Sequence, residues 1–444
     1  MSEAARLTCG SIRGHLVTQT LPMVVASAAL MSVGLVDAYF VGQLGSAELA
    51  AMSFIFPVTI SLASLGVGVM VGVNSVVARA IGAGDTARAA RQANVGVAFA
   101  LALGAFMGLA LWLLTDPLFR LLQAPASLMP LIARYMGPFA LGLPVLLLQM
   151  GLNGVLRAQG EAKRTSAVAV TYAAANWVLD PLLITGGLGV PALGVAGAAW
   201  ATTIGYLLAV MLAAWLVRGT HLPLNPALVR KARLGKAVRN IVSVAGPAAF
   251  SNAINPIGLS VLTALLASQG QEAVAGYGAA GRLQSFATVP LLALSASIGA
   301  IVGQNWGAGQ HDRARRAFFE AGAFCAAYGL ALAAVMFAAG EWFAGFFTDD
   351  PGVIGEFARY MRIAAWGYAG FGLLIVANGA LNAIGKANWS LGQSFARVFL
   401  VMLPVAWVLR PAWGSSAIYT GELAANVVGG ALAAFIAWRM LSRR

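Results

Sequence analysis

The chain has 444 residues, of which 60% are hydrophobic and only 10% are charged, and its mean hydropathy is +0.81. This composition excludes an ordinary soluble protein, and continuous apolar runs of about 20 residues predict spanning helices rather than barrel strands. The net charge of +13 comes from basic residues in short loops between apolar runs. The positive-inside rule for membrane proteins explains this placement better than a nucleic-acid-binding surface does. The two cysteines belong to no motif and give no support to metal, disulfide or thiol chemistry.

The apolar runs predict an all-α integral membrane protein with twelve transmembrane helices in two pseudo-symmetric six-helix bundles. Basic residues border every second loop, whereas the opposite loops hold mostly acids such as Asp116 and Glu272. Because basic loops stay in the cytoplasm, both termini and the loop of residues 218–239 are predicted to be cytoplasmic. The predicted spans are 15–40, 49–77, 92–115, 131–156, 165–186, 194–217, 238–268, 275–301, 317–346, 358–382, 389–410 and 417–438. The C-terminal basic cluster includes Arg439, Arg443 and Arg444.

An internal repeat relates the two halves at a constant offset of 225 residues. Each repeat holds six spans, an even number, so both halves have the same orientation in the membrane. We therefore predict an N-terminal lobe of residues 1–217, a linker loop of residues 218–237 and a C-terminal lobe of residues 238–444. Two such lobes are suited to alternating access. The matching segments include Pro22 with Pro247, Gly82-Ala83-Gly84 with Gly307-Ala308-Gly309, and Asn153-Gly154 with Asn378-Gly379.

Two acids, Asp37 and Asp180, fall deep inside predicted spans of the first half. A carboxylate at the centre of a membrane helix costs roughly 2.5 to 3.5 kcal/mol and usually marks an ion or substrate path. Asn176 lies four residues before Asp180 and shares its helix face. In the second repeat, Leu262 and Val405 occupy the positions equivalent to Asp37 and Asp180. The fold itself therefore does not require carboxylates at these positions.

Two basic residues, Arg282 and Arg397, fall inside spans of the second half. We expect acids in one half and bases in the other. Two interpretations stay open: the arginines sense substrate charge or hold the lobe interior, or they snorkel to an interface or pair with backbone carbonyls.

Three segments carry a resemblance to a known family: residues 156–164, Asn176-Trp177-Val178-Leu179-Asp180-Pro181, and residues 194–202. Together with the repeat they resemble the multidrug and toxic compound extrusion (MATE) family, and the last two are most similar to its DinF-type branch. The resemblance implies a cation site in the N-terminal lobe, made by Asp37, Asn176, Asp180 and Thr202 and able to hold H⁺ or Na⁺. The NorM-type pattern has acids in the seventh and tenth spans. In those spans this chain has asparagines instead, so we do not expect a carboxylate ion site in the second lobe; they are Asn252, Asn255, Asn378 and Asn382.

Three further residues, Asn153, Tyr172 and Asn378, are candidates for the substrate pocket. The duplicated pair of asparagines is explained equally well by hydrogen bonds between helices. Asn176 and Thr202, read as lone polar residues, could serve the same packing role, so their site role depends on the resemblance.

We predict a secondary active multidrug efflux antiporter that exports amphipathic, often cationic, organic compounds in exchange for H⁺ or Na⁺. No phosphate-binding motif is present, so we expect an ion gradient to drive transport, with no cofactor beyond the coupling ion. One alternative, a flippase for lipid-linked precursors or polysaccharide, should line its cavity with several basic residues. Another, a membrane-embedded enzyme, needs a nucleophile with a base or a metal set in the membrane. Away from the membrane edge, the predicted spans hold no histidine, cysteine pair or His-Glu cluster for such chemistry, so we expect no enzyme activity. The expected setting is a monomer in a bacterial inner membrane, in contact with lipids and without nucleic acid.

Overall fold

The computed structural model describes residues 3–222 and 224–442, so Arg443 and Arg444 of the predicted basic cluster lie outside it. Twelve helical segments in the described chain are long and apolar enough to cross a membrane, which confirms the predicted fold class. In chain order the helices are α1 (Ile12–Gly42), α2 (Ser46–Gly82), α3 (Thr86–Leu121), α4 (Met129–Ala158), α5 (Ala162–Ile184), α6 (Val195–Arg218), α7 (Ala227–Arg230), α8 (Leu234–Ala267), α9 (Gln271–Ala287), α10 (Val289–Gly307), α11 (His311–Ala344), α12 (Pro351–Ala364), α13 (Tyr368–Ala383), α14 (Ala387–Phe395), α15 (Leu403–Trp413) and α16 (Ser415–Ser442).

Several helices extend beyond their apolar runs, because a helix ends where its backbone turns rather than where hydrophobicity falls. Helix α2 continues through the basic Arg79 to Gly82, and α3 begins at Thr86, before Arg88. The turn between them uses Gly84 at φ 75°, and the repeat copy uses Gly309 at φ 71°. A left-handed backbone is costly for residues with a Cβ atom, which explains these repeated glycines.

The spans of the second half are less regular than those of the first. Helices α9 and α10 together make the eighth span and meet at Thr288, just before Pro290. A short 3₁₀ turn, Ala365–Gly367, joins α12 to α13. A π-helix, Ala396–Met402, joins α14 to α15 and contains Arg397. Such π segments occur frequently at functional sites.

The chain divides into two compact units, residues 1–6 with 21–249 and residues 7–20 with 250–444. Beyond residue 7, the boundaries between these units fall within α1 and α8, and not at the predicted lobe boundaries of residues 217 and 238. The first part of α1, through Thr20, belongs to the second unit, and α8 as far as Ala249 belongs to the first. The divisions fall beside Pro22 and Pro247, where each helix loses a backbone donor.

Small residues allow close helix contacts inside each unit. On α3, a Cβ atom at Gly108 would lie 2.5 Å from the backbone oxygen of Ala140 on α4. In the second unit, a Cβ atom at Gly430 on α16 would lie 2.4 Å from the backbone oxygen of Gly370 on α13. These contacts are of the kind by which small residues let membrane helices approach closely.

Candidate functional site

Asp180 lies in the middle of the candidate site, near the C-terminal end of α5. Its side chain is fully buried, with 0% of its surface exposed. Neither carboxylate oxygen has a hydrogen-bond partner among the residues that the structure describes. An ionised carboxylate is costly to bury without a partner, so this position calls for a proton, a cation or a cationic ligand.

Asn176 on α5 lies one helical turn before Asp180 and contacts Thr202 on α6. The amide nitrogen of Asn176 donates to the backbone oxygen of Tyr172 at 2.8 Å, and the Thr202 hydroxyl donates to Asn176 Oδ1 at 3.5 Å. Space for the amide comes from Gly205, where a Cβ atom would lie 2.5 Å from Asn176 Nδ2. The structure thus joins Asn176 to Thr202 as the resemblance implied, while their role in ion binding stays a prediction.

Asp37 on α1 is brought to the same level as Asp180 by a hydrogen bond between the two helices. The indole N–H of Trp177 donates to the Ser32 hydroxyl at 3.0 Å. The spans of α1 and α5 run in the same direction, because three spans, an odd number, lie between them. At 1.5 Å per residue, Asp180 lies about 4.5 Å beyond Trp177 and Asp37 about 7.5 Å beyond Ser32.

The two carboxylates are close enough for their charges to repel. Asp37 is half-buried, and its Oδ1 is a buried oxygen without a hydrogen-bond partner in the described chain. The predicted residues Asp37, Asn176, Asp180 and Thr202 therefore lie in one region of the first unit. Whether they hold the coupling ion stays a prediction.

Three tyrosines lie in the same part of the first unit as the acidic pair. Tyr172 and Tyr206 stack with ring centroids 4.4 Å apart, and Tyr135 on α4 lies within electrostatic reach of both acids. Sequence reasoning proposed Tyr172 but missed Tyr135, Tyr206 and the spacing role of Gly205. Their helical periodicity could have placed them on inward faces, but their meeting across three helices is a tertiary property.

The two duplicated asparagines differ in their surroundings. Asn153 on α4 is buried, and its Oδ1 lacks a partner among the described residues. Asn378 on α13 exchanges hydrogen bonds with Ser394 at 3.1 Å and Gln393 at 2.5 Å. Asn378 is thus held inside the second unit, which agrees with a packing role.

The expected separation of acids and bases between the halves is wrong. Glu422 on α16 is an acid of the second unit with only 2% of its surface exposed. Its place inside the predicted span 417–438 could have been recognised from the sequence. Arg397 is also buried, donates to Asn255 Oδ1 at 3.0 Å and lies 5.4 Å from the centroid of the Phe371 ring. These contacts agree with the interpretation that Arg397 holds the interior of the lobe, and neither snorkelling nor pairing with backbone carbonyls accounts for them. Arg282, in contrast, is exposed.

Sequence comparisons identify related proteins along nearly the whole chain. A profile of the MatE family matches twice, over residues 22–182 and 247–408, with starting points 225 residues apart as in the internal repeat. The chain is 33% identical to a FAD transporter of Shewanella oneidensis over 406 residues, 91% of this chain and 90% of the relative. It is 30% identical to a probable multidrug resistance protein NorM of Deinococcus radiodurans, covering 89% and 88% of the two chains. It is 24% identical to the multidrug resistance protein PmpM of Pseudomonas aeruginosa, covering 89% and 83%.

Solved structures give the same fold. The chain matches the Vibrio cholerae MATE transporter VcmN in its bent form with a TM-score of 0.90 and 27% identity, covering 99% and 98% of the two chains. It also matches an outward-facing multidrug resistance MATE transporter with a TM-score of 0.92 and 23% identity, covering 100% and 98%. These matches support the predicted arrangement of two six-helix halves, and they do not separate the DinF-type branch from others.

Proposed function

Because this chain belongs to the MatE family of membrane transporters, we propose that it is an efflux antiporter driven by ion uptake at Asp37 and Asp180. Membership confirms that the chain is a multi-pass membrane transporter and not an enzyme. The observation that carries the proposal is the fully buried Asp180 carboxylate, which has no hydrogen-bond partner among the described residues and has Asp37 close by.

The coupling ion is proposed to be a proton. A proton on either acid removes the repulsion between them, and a proton on Asp180 also removes the cost of its unpaired buried charge. Sodium is the alternative, because the two carboxylates, Asn176 Oδ1 and the Thr202 hydroxyl supply the oxygen ligands that hard cations prefer. We propose no other cofactor.

The exported compounds are proposed to be amphipathic organic cations. A cation would balance the acidic pair, and the rings of Tyr135, Tyr172 and Tyr206 offer faces to which cationic and aromatic groups bind. Proton and substrate would then compete for the same charge, so taking up one would release the other. Alternating access would follow from this exchange.

A flavin nucleotide is a second candidate substrate. The observation in its favour is the 33% identity over 91% of the chain to a relative named as a FAD transporter. The flavin ring could stack on the same tyrosines, but its anionic diphosphate would be repelled by ionised Asp37 and Asp180. Export of FAD would therefore require both acids to be neutral.

The proposed setting is a bacterial inner membrane with both chain ends in the cytoplasm. The basic residues of α3 and of the segment before α8 favour this orientation. We propose a monomer whose partners are small substrates and membrane lipids.

The proposal is tested with purified full-length protein in liposomes loaded with ethidium, under an imposed proton gradient or an imposed sodium gradient. We expect efflux with the proton gradient and none with sodium alone. Efflux with sodium alone would assign the same residues to a sodium site, and efflux without either gradient would contradict coupled transport. Parallel liposomes loaded with FAD distinguish the two substrate classes.

A further inference from the structure

A second buried acid, Glu422, lies at a junction of three helices in the second unit. It projects from α16, and its two neighbours are Gln284 on α9 and Tyr360 on α12. Tyr360 has no exposed surface, and Glu422 has only 2%. This acid is independent of the pair in the first unit.

The three side chains contact one another in a closed ring. Gln284 Nε2 lies 3.2 Å from Glu422 Oε1, and Tyr360 Oη lies 3.0 Å from Glu422 Oε2. Tyr360 Oη also lies 2.6 Å from Gln284 Oε1. All three separations are within hydrogen-bond range.

The ring of contacts needs three hydrogens, one for each contact. The Tyr360 hydroxyl supplies only one of them. The Gln284 amide supplies one more, because only its nitrogen end donates; turning the amide over exchanges the two contacts without changing the count. The third hydrogen must come from Glu422, whose carboxyl donates only when it is protonated.

The charged and titratable groups around the ring leave this count unchanged. The cation Arg397 acts on Glu422 through space, but no ion pair within 4.0 Å joins the two in the described chain. The arginine instead contacts Asn255, the Phe371 ring and Gly429. The nearby tyrosines are neutral hydroxyls; the groups that face Glu422 from the packed helices are Tyr277, Tyr360, Tyr368 and Arg397.

We propose that Glu422 is a second proton-binding site, whose protonated form joins α9, α12 and α16 through the Gln284–Tyr360 ring. Loss of the proton leaves two acceptors facing each other at one contact, and that side of the ring opens. The site goes beyond the proposed exchange at Asp37 and Asp180, because it exists whether or not those acids carry the coupling ion. It gives the second unit its own response to pH.

The first test detects the proton directly. Infrared spectroscopy of the full chain in lipid nanodiscs reports the carbonyl band of protonated carboxyls, and the Asp37→Asn/Asp180→Asn background removes the acids of the first unit. We expect a protonated-carboxyl band at neutral pH in this background and its loss on adding Glu422→Gln. An unchanged band after Glu422→Gln would overturn the proposal.

The second test follows thermal unfolding against pH. Glutamine at position 422 supplies the third hydrogen permanently, so Glu422→Gln should hold its melting temperature where the wild type declines as pH rises. Tyr360→Phe removes both contacts of the hydroxyl and should also reduce the pH dependence, but with a lower melting temperature. If Glu422→Gln follows the wild-type pH profile, the ring carries no proton and the proposal fails.

Discussion

At the scale of single residues, Asp180 is the position where charge and burial conflict most. Both of its oxygens lack partners within residues 3–222 and 224–442, whereas the exposed acid Asp116 pairs with Arg120 on the same helix at 3.3 Å. The free-energy cost of burying this unpaired charge must be offset by a proton, a cation or a cationic ligand during the transport cycle. Among the residues of the proposed site, we therefore expect substitution of Asp180 to have the largest effect on transport.

Replacing Asp180 with Asn tests this role, because the change removes the charge and keeps the volume. We expect gradient-driven efflux to fall to near background while the melting temperature is kept or raised. Asp116→Asn is the matched control, because an exposed ion pair contributes only about 0 to 1 kcal/mol. Wild-type efflux by Asp180→Asn would make the carboxylate structural.

Gly205 provides the space in which Asn176 sits, so Gly205→Ala should displace the amide. We expect a loss of roughly 1 to 3 kcal/mol in the free energy of unfolding and weaker substrate binding. Gly137→Ala on α4 is the control, because a Cβ atom there meets nothing within 4 Å. Equal effects of the two substitutions on substrate binding would contradict the role of Gly205.

The residues that the sequence could predict are those related by local periodicity. Asn176 and Asp180 share a face because they are four residues apart on one helix. Glu422 was missed because its significance depends on Gln284 and Tyr360, which come from two other helices. Arg397 was noticed, but its partners Asn255 and Phe371 were equally out of reach.

At the scale of helices, the repeat explains the turns better than the spans. The turn glycines recur at matching positions with similar left-handed φ, as in Gly160 at 72° and Gly385 at 78°. The breaks at Thr288 and Ala365 and the π-helix at Arg397 have no counterpart in the described spans of the first half. Hydropathy alone does not reveal them. Apolarity sets where a helix crosses the membrane, and packing decides where it deforms.

Gly84→Ala tests the turn between α2 and α3. Because alanine strains a left-handed backbone, we expect a loss of about 1 to 2 kcal/mol in unfolding free energy. The control is Gly246→Ala, since that glycine is helical and has nothing within 4 Å of its Cβ position. Thermal unfolding of the two variants measures the difference, and equal melting temperatures would contradict the backbone argument.

At the scale of the whole molecule, orientation in the membrane decides which side supplies the ion. Ala227 is exposed on α7, in the segment between the two six-helix halves. Cys9 is exposed and Cys325 is buried, so a cysteine at position 227 should be studied in a Cys9→Ser background. We expect no labelling of Ala227→Cys by an impermeant reagent from outside intact cells, and labelling after the cells are opened. Labelling from outside would reverse the proposed orientation.

The energy available for the proposed exchange depends on the charge of the substrate. One proton moving inward through about 100 mV supplies about 2.3 kcal/mol, enough for roughly fifty-fold accumulation of a neutral solute. Exchange of one proton for one monovalent cationic substrate moves no net charge across the membrane, so the pH gradient must drive it. Coupling therefore depends on proton and substrate excluding each other at the acidic pair.

The most direct measurement of this exclusion is the affinity of the purified full chain for ethidium as a function of pH, in the wild type and in Asp37→Asn/Asp180→Asn. We predict that wild-type affinity falls as pH drops and that the double variant loses this dependence. Wild-type binding that is independent of pH, together with affinity that changes with sodium concentration, would contradict proton competition at Asp37 and Asp180.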